Sequence, residues 1–420
     1  MSQRAALLIH YYFPPIHSIG CRRNHGFAQE WLKAYDTVKI MTTTNNGILP
    51  KDETLSIASF PIVSLKTDDY RTKSLRYSKK QKIHYSASAK DNAISKMLVK
   101  AIHTYPLNVW VGEGGSKYIK DGIKVGTAFL RKYPEATIYS SFRPYADHAI
   151  ASHLKSVFPK CRWIADFRDA DIDPLYRLYL NRWWQARFNR KILKTADKVI
   201  TVSDGVTDLM SKYHHNVVTV PNGVNIREAK PHYNPFTISY TGSLYGDHRD
   251  PSFLFKAIQE LIAEGNVKAE NLQLIYAGKD GQQFVQYATK YAVDHLIDNK
   301  NMLGLKESQT IQSKSHINLL LTSSTKEYQG ILTGKLYEYM GAQNPILAIV
   351  KGGDDQEVDA FFDKYKLGYI HYTENGQLQN LKDWILNLYH RGRAEVPVKI
   401  ESEEIKKSLS WNSQFQRLIS

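Results

Sequence analysis

Cysteine is nearly absent from this chain of 420 residues: Cys21 and Cys161 are the only two. Two thiols cannot build a disulfide framework, and no Cys/His spacing resembles a zinc site, so small cross-linked and metal-stapled folds are excluded. Long apolar runs are missing as well. No window reaches the ~20 uninterrupted apolar residues that a bilayer span requires, and the opening "AALLIHYYF" is too short for a signal segment and lacks a cleavage site. A cytoplasmic protein is expected, at most peripheral at the inner face of the cell membrane. Low-complexity tracts are lacking too, and no G-x-G-x-x-G follows the first apolar run, which disfavours a nicotinamide dehydrogenase.

Acid is scarce in one half only. Residues 1–230 carry 36 Lys+Arg against 19 Asp+Glu, whereas 231–420 carry 20 against 22, so the net charge of +15 belongs to the N-terminal half. Ten of those cations fall between Lys66 and Lys100. The expected neighbour of that half is anionic: a membrane surface or lipid phosphate first, a pyrophosphate, and nucleic acid last; a merely solvated basic loop is the plain alternative.

What is present is a repeating pattern. Short apolar runs such as "AALLIHYY", "TVKIMTTT", "ATIYSSF", "CRWIADF", "KVITVS" and "NVVTVPNG" alternate with helix-length segments such as "CRRNHGFAQEWLKAY". Runs buried on both faces imply a parallel sheet with helices on either side. After residues 225–235, which hold two prolines and no apolar period, the pattern restarts with "TISYTGSL", "PSFLFKAIQELIAEG", "NLQLIYAG", "HINLLLTS", "TGKLYEYMGA" and "PILAIV". The length suits about two domains of roughly 200 residues. Two doubly wound α/β domains facing across a cleft are expected, with ligands beyond the carboxyl ends of the strands.

In "YQGILTGKLYEYMGAQNPILAIV" a helix begins near Gly334 behind a glycine-bearing loop. Its first amides and Lys335 suit a phosphate. Glu338, three residues on, shares that face and can accept hydrogen bonds from vicinal hydroxyls such as those of a ribose. The bland alternative is an exposed Lys/Glu pair worth roughly a few tenths of a kcal/mol. "DADID" (169–173) resembles the start of a calcium loop, but Pro174 and Leu180 stand where glycine and glutamate would be needed, so metal binding is disfavoured. The basic segment 176–196 contains Trp183 and Trp184, which either lie on a membrane interface or pack on the sheet.

"GILTGKLYEYMGAQNPILAI", with "VITVSDGVTDLM", "VTVPNGVN", "ISYTGSLYGDHRDP", "YYFPPIHSIGCRRNHGFAQEW" and "WIADFRDADIDP", resembles the family-4 nucleotide-sugar glycosyltransferases of the GT-B fold. The likeness covers most of the chain in the right order, with 60–130 and the tail matching loosely. It implies an acceptor-binding Rossmann-like domain at 1–228, a donor-binding one at 229–400, and a helix at 401–420 returning toward the first. It implies a retaining hexosyl transfer from a nucleoside-diphosphate sugar to a glycan or lipid-linked acceptor in cell-surface polysaccharide synthesis, with no metal and no cofactor beyond the donor substrate.

By the same resemblance Lys335 and Arg249 would meet the pyrophosphate, Glu338 the ribose, and Leu303 and Gly304 the base. Gly20, Gly242, Ser243 and Gly278 would bring backbone close to the donor. His148 would face the reacting sugar, and Asp166, Arg168 and Asp169 would serve the acceptor. The family's usual pair of glutamates is incomplete, because Gly330 stands in the place of the first; amides of Gly330, Ile331 and Leu332, beside Thr333, are candidates to substitute for it. The competing readings are a sugar-nucleotide epimerase and an inert binding or scaffold subunit of the same fold.

Overall fold

The computed structural model describes residues 3–16, 19–44, 51, 57–70, 72–73, 97, 100–102, 104–168, 182–246, 249–325, 329–330, 332–393, 400 and 402–420. Most of the basic run, Asp169 with the rest of "DADID", and Ile331 lie outside them. The chain forms two compact units, Met1–Pro221 with Phe415–Ser420, and Asn222–Gln414.

The first unit contains β1 (Ala5–Ile9), α1 (Ile19–Ala34), β2 (Thr37–Thr43), β3 (Ile62–Leu65), α2 (Leu107–Trp110), α3 (Gly115–Lys132), β4 (Thr137–Phe142), α4 (Tyr145–Val157), β5 (Arg162–Phe167), α5 (Arg182–Leu193), β6 (Lys198–Thr201), α6 (Asp204–Met210) and β7 (Val217–Thr219). Its sheet runs β3-β2-β1-β4-β5-β6-β7 with every pair parallel. Every residue of β1, β4 and β6 is buried, which is why these strands read as continuous apolar runs. Helices α3 and α4 approach closely because Gly122 and Gly126 face Ile150 and Leu154: a Cβ on either glycine would come within 2.5 Å or 2.4 Å of those side chains. That contact fixes α4, whose first turn carries Asp147 and His148.

The second unit contains β8 (Phe236–Thr241), α7 (Ser252–Ala263), β9 (Leu272–Ala277), α8 (Gly281–Thr289), β10 (Ile297–Asn299), α9 (Leu305–Lys314), β11 (Ile317–Ser323), α10 (Gly334–Ala342), β12 (Ile346–Lys351), α11 (Gln356–Tyr365), β13 (Gly368–Tyr372), α12 (Leu378–Arg393) and α13 (Glu403–Leu409). The strand order is β10-β9-β8-β11-β12-β13, again parallel throughout. Consecutive leucines of β11 serve opposite faces: Leu319 and Leu321 enter one core, Leu320 the other. The last helix, α14 (Trp411–Ile419), starts in this unit and ends in the first.

Both sheets reverse their winding once, between β1 and β4 and between β8 and β11. In open parallel sheets the crevice outside the carboxyl ends at such a reversal is where ligands sit. Those two rims are therefore the places to look for chemistry.

Candidate active site

In the second unit the reversal point is built from glycines and tyrosines. Strands β8 and β9 both end in Tyr-x-Gly: Tyr240 before Gly242, and Tyr276 before Gly278. The Tyr276 hydroxyl donates to the Gly242 carbonyl at 2.9 Å, and the Tyr240 hydroxyl donates to the Ser243 carbonyl at 2.8 Å. Burial pushes the Tyr276 phenol up to about 12 and raises Tyr240 further, so both remain neutral donors. The loop is tied from its other side by Asp280, whose carboxylate accepts the Leu244 amide at 2.8 Å. A Cβ at Gly278 would lie 2.1 Å from the Gly242 carbonyl oxygen, so only glycine lets the two strand-end loops nest.

Lys335, in the first turn of α10, is 4% exposed. Its Nζ lies 4.5 Å above the Tyr240 ring, donates to the Tyr240 hydroxyl at 3.1 Å, and occupies the place a side chain at Gly242 would need, 1.7 Å from that ideal Cβ. Gly242 itself holds φ +143°, a region that side-chain-bearing residues avoid. Arg249 donates to the Ser243 carbonyl at 3.1 Å and stacks 4.5 Å over Tyr245. Lys335, Arg249, Gly242 and Ser243 thus gather within one loop cluster, with the start of α10 adding its amide dipoles.

Glu338 is half-buried and accepts from the Gln312 side chain at 3.3 Å; Gln312 also donates to Thr241 Oγ1 at 2.9 Å and accepts from Arg227 at 3.0 Å. Leu303 packs on Ile275, Ala277 and Ile311 beyond the end of β9, and Gly304 begins α9 with its amide on Glu307. Leu332 is buried, and the Thr333 hydroxyl before α10 is buried without a hydrogen-bond partner. The Gly330 amide, named above as a stand-in for the missing glutamate, is already engaged: it donates to the buried Asp355 carboxylate at 2.8 Å. Asp355 also accepts from Val358 at the start of α11, so one carboxylate pins both the loop and the helix.

In the first unit the rim residues are spoken for internally. Asp166, at the end of β5, is fully buried and takes Arg23 Nη2 at 2.9 Å, Arg23 Nε at 3.0 Å and the Tyr139 hydroxyl at 2.8 Å. Burial alone would raise its pKa; the Arg23 guanidinium and the hydroxyl outweigh that and hold it below the ordinary value. Arg168 donates to the Phe142 carbonyl at 2.8 Å and the Arg143 carbonyl at 3.3 Å, and its guanidinium fills the space beside Gly20 at the start of α1.

His148 is wholly buried among Phe142, Tyr145, Trp163 and Phe167. Its Nδ1 lies 2.8 Å from Ser140 Oγ, which also accepts Trp163 Nε1–H at 2.9 Å, while Nε2 has no partner. Burial lowers its pKa to about 3, and does the same for His10 at the end of β1. Both imidazoles are neutral at pH 7.

Sequence reading missed Tyr240, Tyr276, Gln312, Asp280 and Asp355 on one rim, and Arg23, Tyr139 and Ser140 on the other. The repeated Tyr-x-Gly at two strand ends was a usable signal; Asp355 and Arg23 had none, since their partners lie 25 and 143 residues away.

No protein-family model matches the sequence, and none of the curated proteins does. Solved structures do match over the whole chain. Sucrose-phosphate synthase from Thermosynechococcus elongatus is 13% identical, with 99% of this chain and 97% of that one covered and a TM-score of 0.61. A variant of S. aureus TarM in complex with fondaparinux, alpha-GlcNAc-glycerol and UDP is 11% identical, covered at 99% and 99%, with a TM-score of 0.58. The lipopolysaccharide outer core galactosyltransferase WaaB is 11% identical, covered at 99% and 99%, with a TM-score of 0.57. At such identities the likeness is one of fold, and the fold is GT-B: two Rossmann-like domains with parallel sheets.

Proposed function

We propose that this protein is a glycosyltransferase that moves a hexosyl group from a nucleoside-diphosphate sugar to a glycan or lipid-linked acceptor in cell-surface polysaccharide synthesis. The observation that carries the reading is the seat of Lys335: a nearly buried ammonium held by Tyr240 against a glycine that only a missing side chain leaves open. A diphosphate leaving group gathers negative charge as the glycosidic bond breaks, and fixed cations and amide dipoles aimed at that oxygen are the largest electrostatic aid a site can offer. Lys335, Arg249 and the α10 amides fill that role, and Glu338 takes the ribose hydroxyls. Leu303 and Gly304 border the base.

In the first unit, Asp166 acts through Arg23 and Tyr139 as a support, and Arg168 beside Gly20 is the group an incoming ligand meets. Retention at the anomeric carbon, with no metal and no obligatory general base, follows from the family resemblance. Work at the inner face of a membrane is read from the excess of basic residues in 1–230. The matched structures support donor chemistry of this class, one of them holding UDP.

The test is thermal stabilisation by UDP, GDP and ADP of wild type and Glu338→Ala, followed by transfer from the matching sugar nucleotides. Stabilisation by one nucleotide, weakened in the variant, and transfer by the wild type are expected. The engagement of the Gly330 amide by Asp355 favours a second reading, an inert binding subunit; nucleotide binding with neither transfer nor donor hydrolysis would select it.

A further inference from the structure

Helix α5 has two unlike faces. From beneath it is fixed by polar and aromatic contacts: Gln185 accepts the Tyr105 amide at 3.3 Å, Asn189 accepts the Tyr145 hydroxyl at 2.7 Å, and Phe188 stacks on Tyr105 at 4.4 Å. On the outside Trp183 is 63% and Trp184 53% exposed, their rings meeting edge to face at 5.0 Å. Arg187, Arg190, Lys191 and Lys194 are exposed on the same helix and the residues just after it, and Arg187 lies 5.9 Å from the Trp183 ring. No Asp or Glu occurs from 182 to 196, and the next acid, Asp197, is paired with Lys155 at 2.9 Å. Leu107 and Trp110, just after Tyr105, are exposed as well.

A helix meant only for water mixes charges of both signs and does not present two adjacent indoles to solvent. Indole rings with unbalanced cations match a different solvent, the interface of a bilayer, where the rings sit at headgroup depth and the cations meet phosphates. Charge complementarity therefore selects an anionic lipid surface over a neutral one.

We propose that the outer face of α5 docks on an anionic phospholipid bilayer, with Trp183 and Trp184 among the headgroups and Arg187, Arg190, Lys191 and Lys194 against lipid phosphates. This rests on the membrane part of the function proposed above and gives it a definite surface; its test needs neither nucleotide nor sugar, so either can fail without the other.

The experiment is flotation of the full chain with vesicles of phosphatidylcholine alone or with added phosphatidylglycerol, at low and high salt. Wild type should float only with the anionic vesicles and less at high salt. The double variant Trp183→Ser, Trp184→Ser and the double variant Arg187→Glu, Arg190→Glu should each bind about tenfold more weakly with unchanged melting temperature. The charge-matched control Lys290→Glu, Lys306→Glu, on the second unit, should float as wild type does. No binding to anionic vesicles, or equal binding by the tryptophan variant, overturns the proposal. So does a dimer that the tryptophan substitutions dissociate in the absence of lipid binding, which would make this face a contact between copies.

Discussion

At the end of β5, Asp166 gives its carboxylate to Arg23 with both partners buried, while at the end of β8 the buried Lys335 is oriented by the hydroxyl of Tyr240 and the gap at Gly242. The first unit answers its rim carboxylate with a guanidinium from α1 and locks it. The second sets a lysine ammonium against the ring and hydroxyl of a tyrosine and keeps the Gly242 backbone close by. A carboxylate locked to a buried guanidinium braces the fold, whereas an ammonium seated in a glycine gap depends on that gap staying open.

The contrast can be broken most forcefully at Asp166. Asp166→Ala should cost about 3–5 kcal/mol, because it strands the Arg23 guanidinium in a buried site, whereas Arg23→Met with Asp166→Leu should cost much less. Urea denaturation of the three proteins checks this, and equal losses would show that the pair itself is not what the rim depends on. Gly242→Ala probes the other rim. Its Cβ must displace Lys335 from a backbone at φ +143°, which should cost about 1–3 kcal/mol and abolish stabilisation by nucleotides. A variant that still binds nucleotide as wild type does would remove Lys335 from the site.

A third prediction concerns groups the first unit buries uncharged. His148 stays neutral down to about pH 3 when folded but titrates near its ordinary 6.5 when unfolded. Below that pH the unfolded chain binds a proton the native one refuses, so stability falls as pH drops from about 6.5 toward 3, by up to about 1.4 kcal/mol per pH unit for each such group. His148→Asn should flatten the dependence by one group's worth in melts between pH 7 and 4. An unchanged slope would mean that the imidazole is protonated in place. The smallest effect is expected at Tyr240→Phe, about 0.5–1.5 kcal/mol for a lost hydrogen bond, with weaker nucleotide stabilisation because Lys335 loses its guide.

The apolar runs announced nearly every central strand, since burial on both faces leaves an unbroken signature in sequence. Strand β13, only partly buried, and β3, four residues long, left none. Helix α3 escaped because the glycines that let it touch α4 look like helix breakers when read alone. At the rims, the sequence named Gly242 and Lys335 without their contact, and it named Asp166 without Arg23. Loops behind strand ends are local features. The partner that cancels a charge 143 residues away is not.

The path of α14 makes the two units nested rather than serial. The first is a host with a guest inserted between Pro221 and Phe415, and the segment that closes it carries Phe415 onto Trp31 at 5.1 Å and offers its last carbonyls to Arg162 and Lys198. During synthesis the host cannot be completed until the guest has been made, so the later-made unit has every residue it needs first. A fragment ending at Pro221 is thus not a domain but an unfinished one.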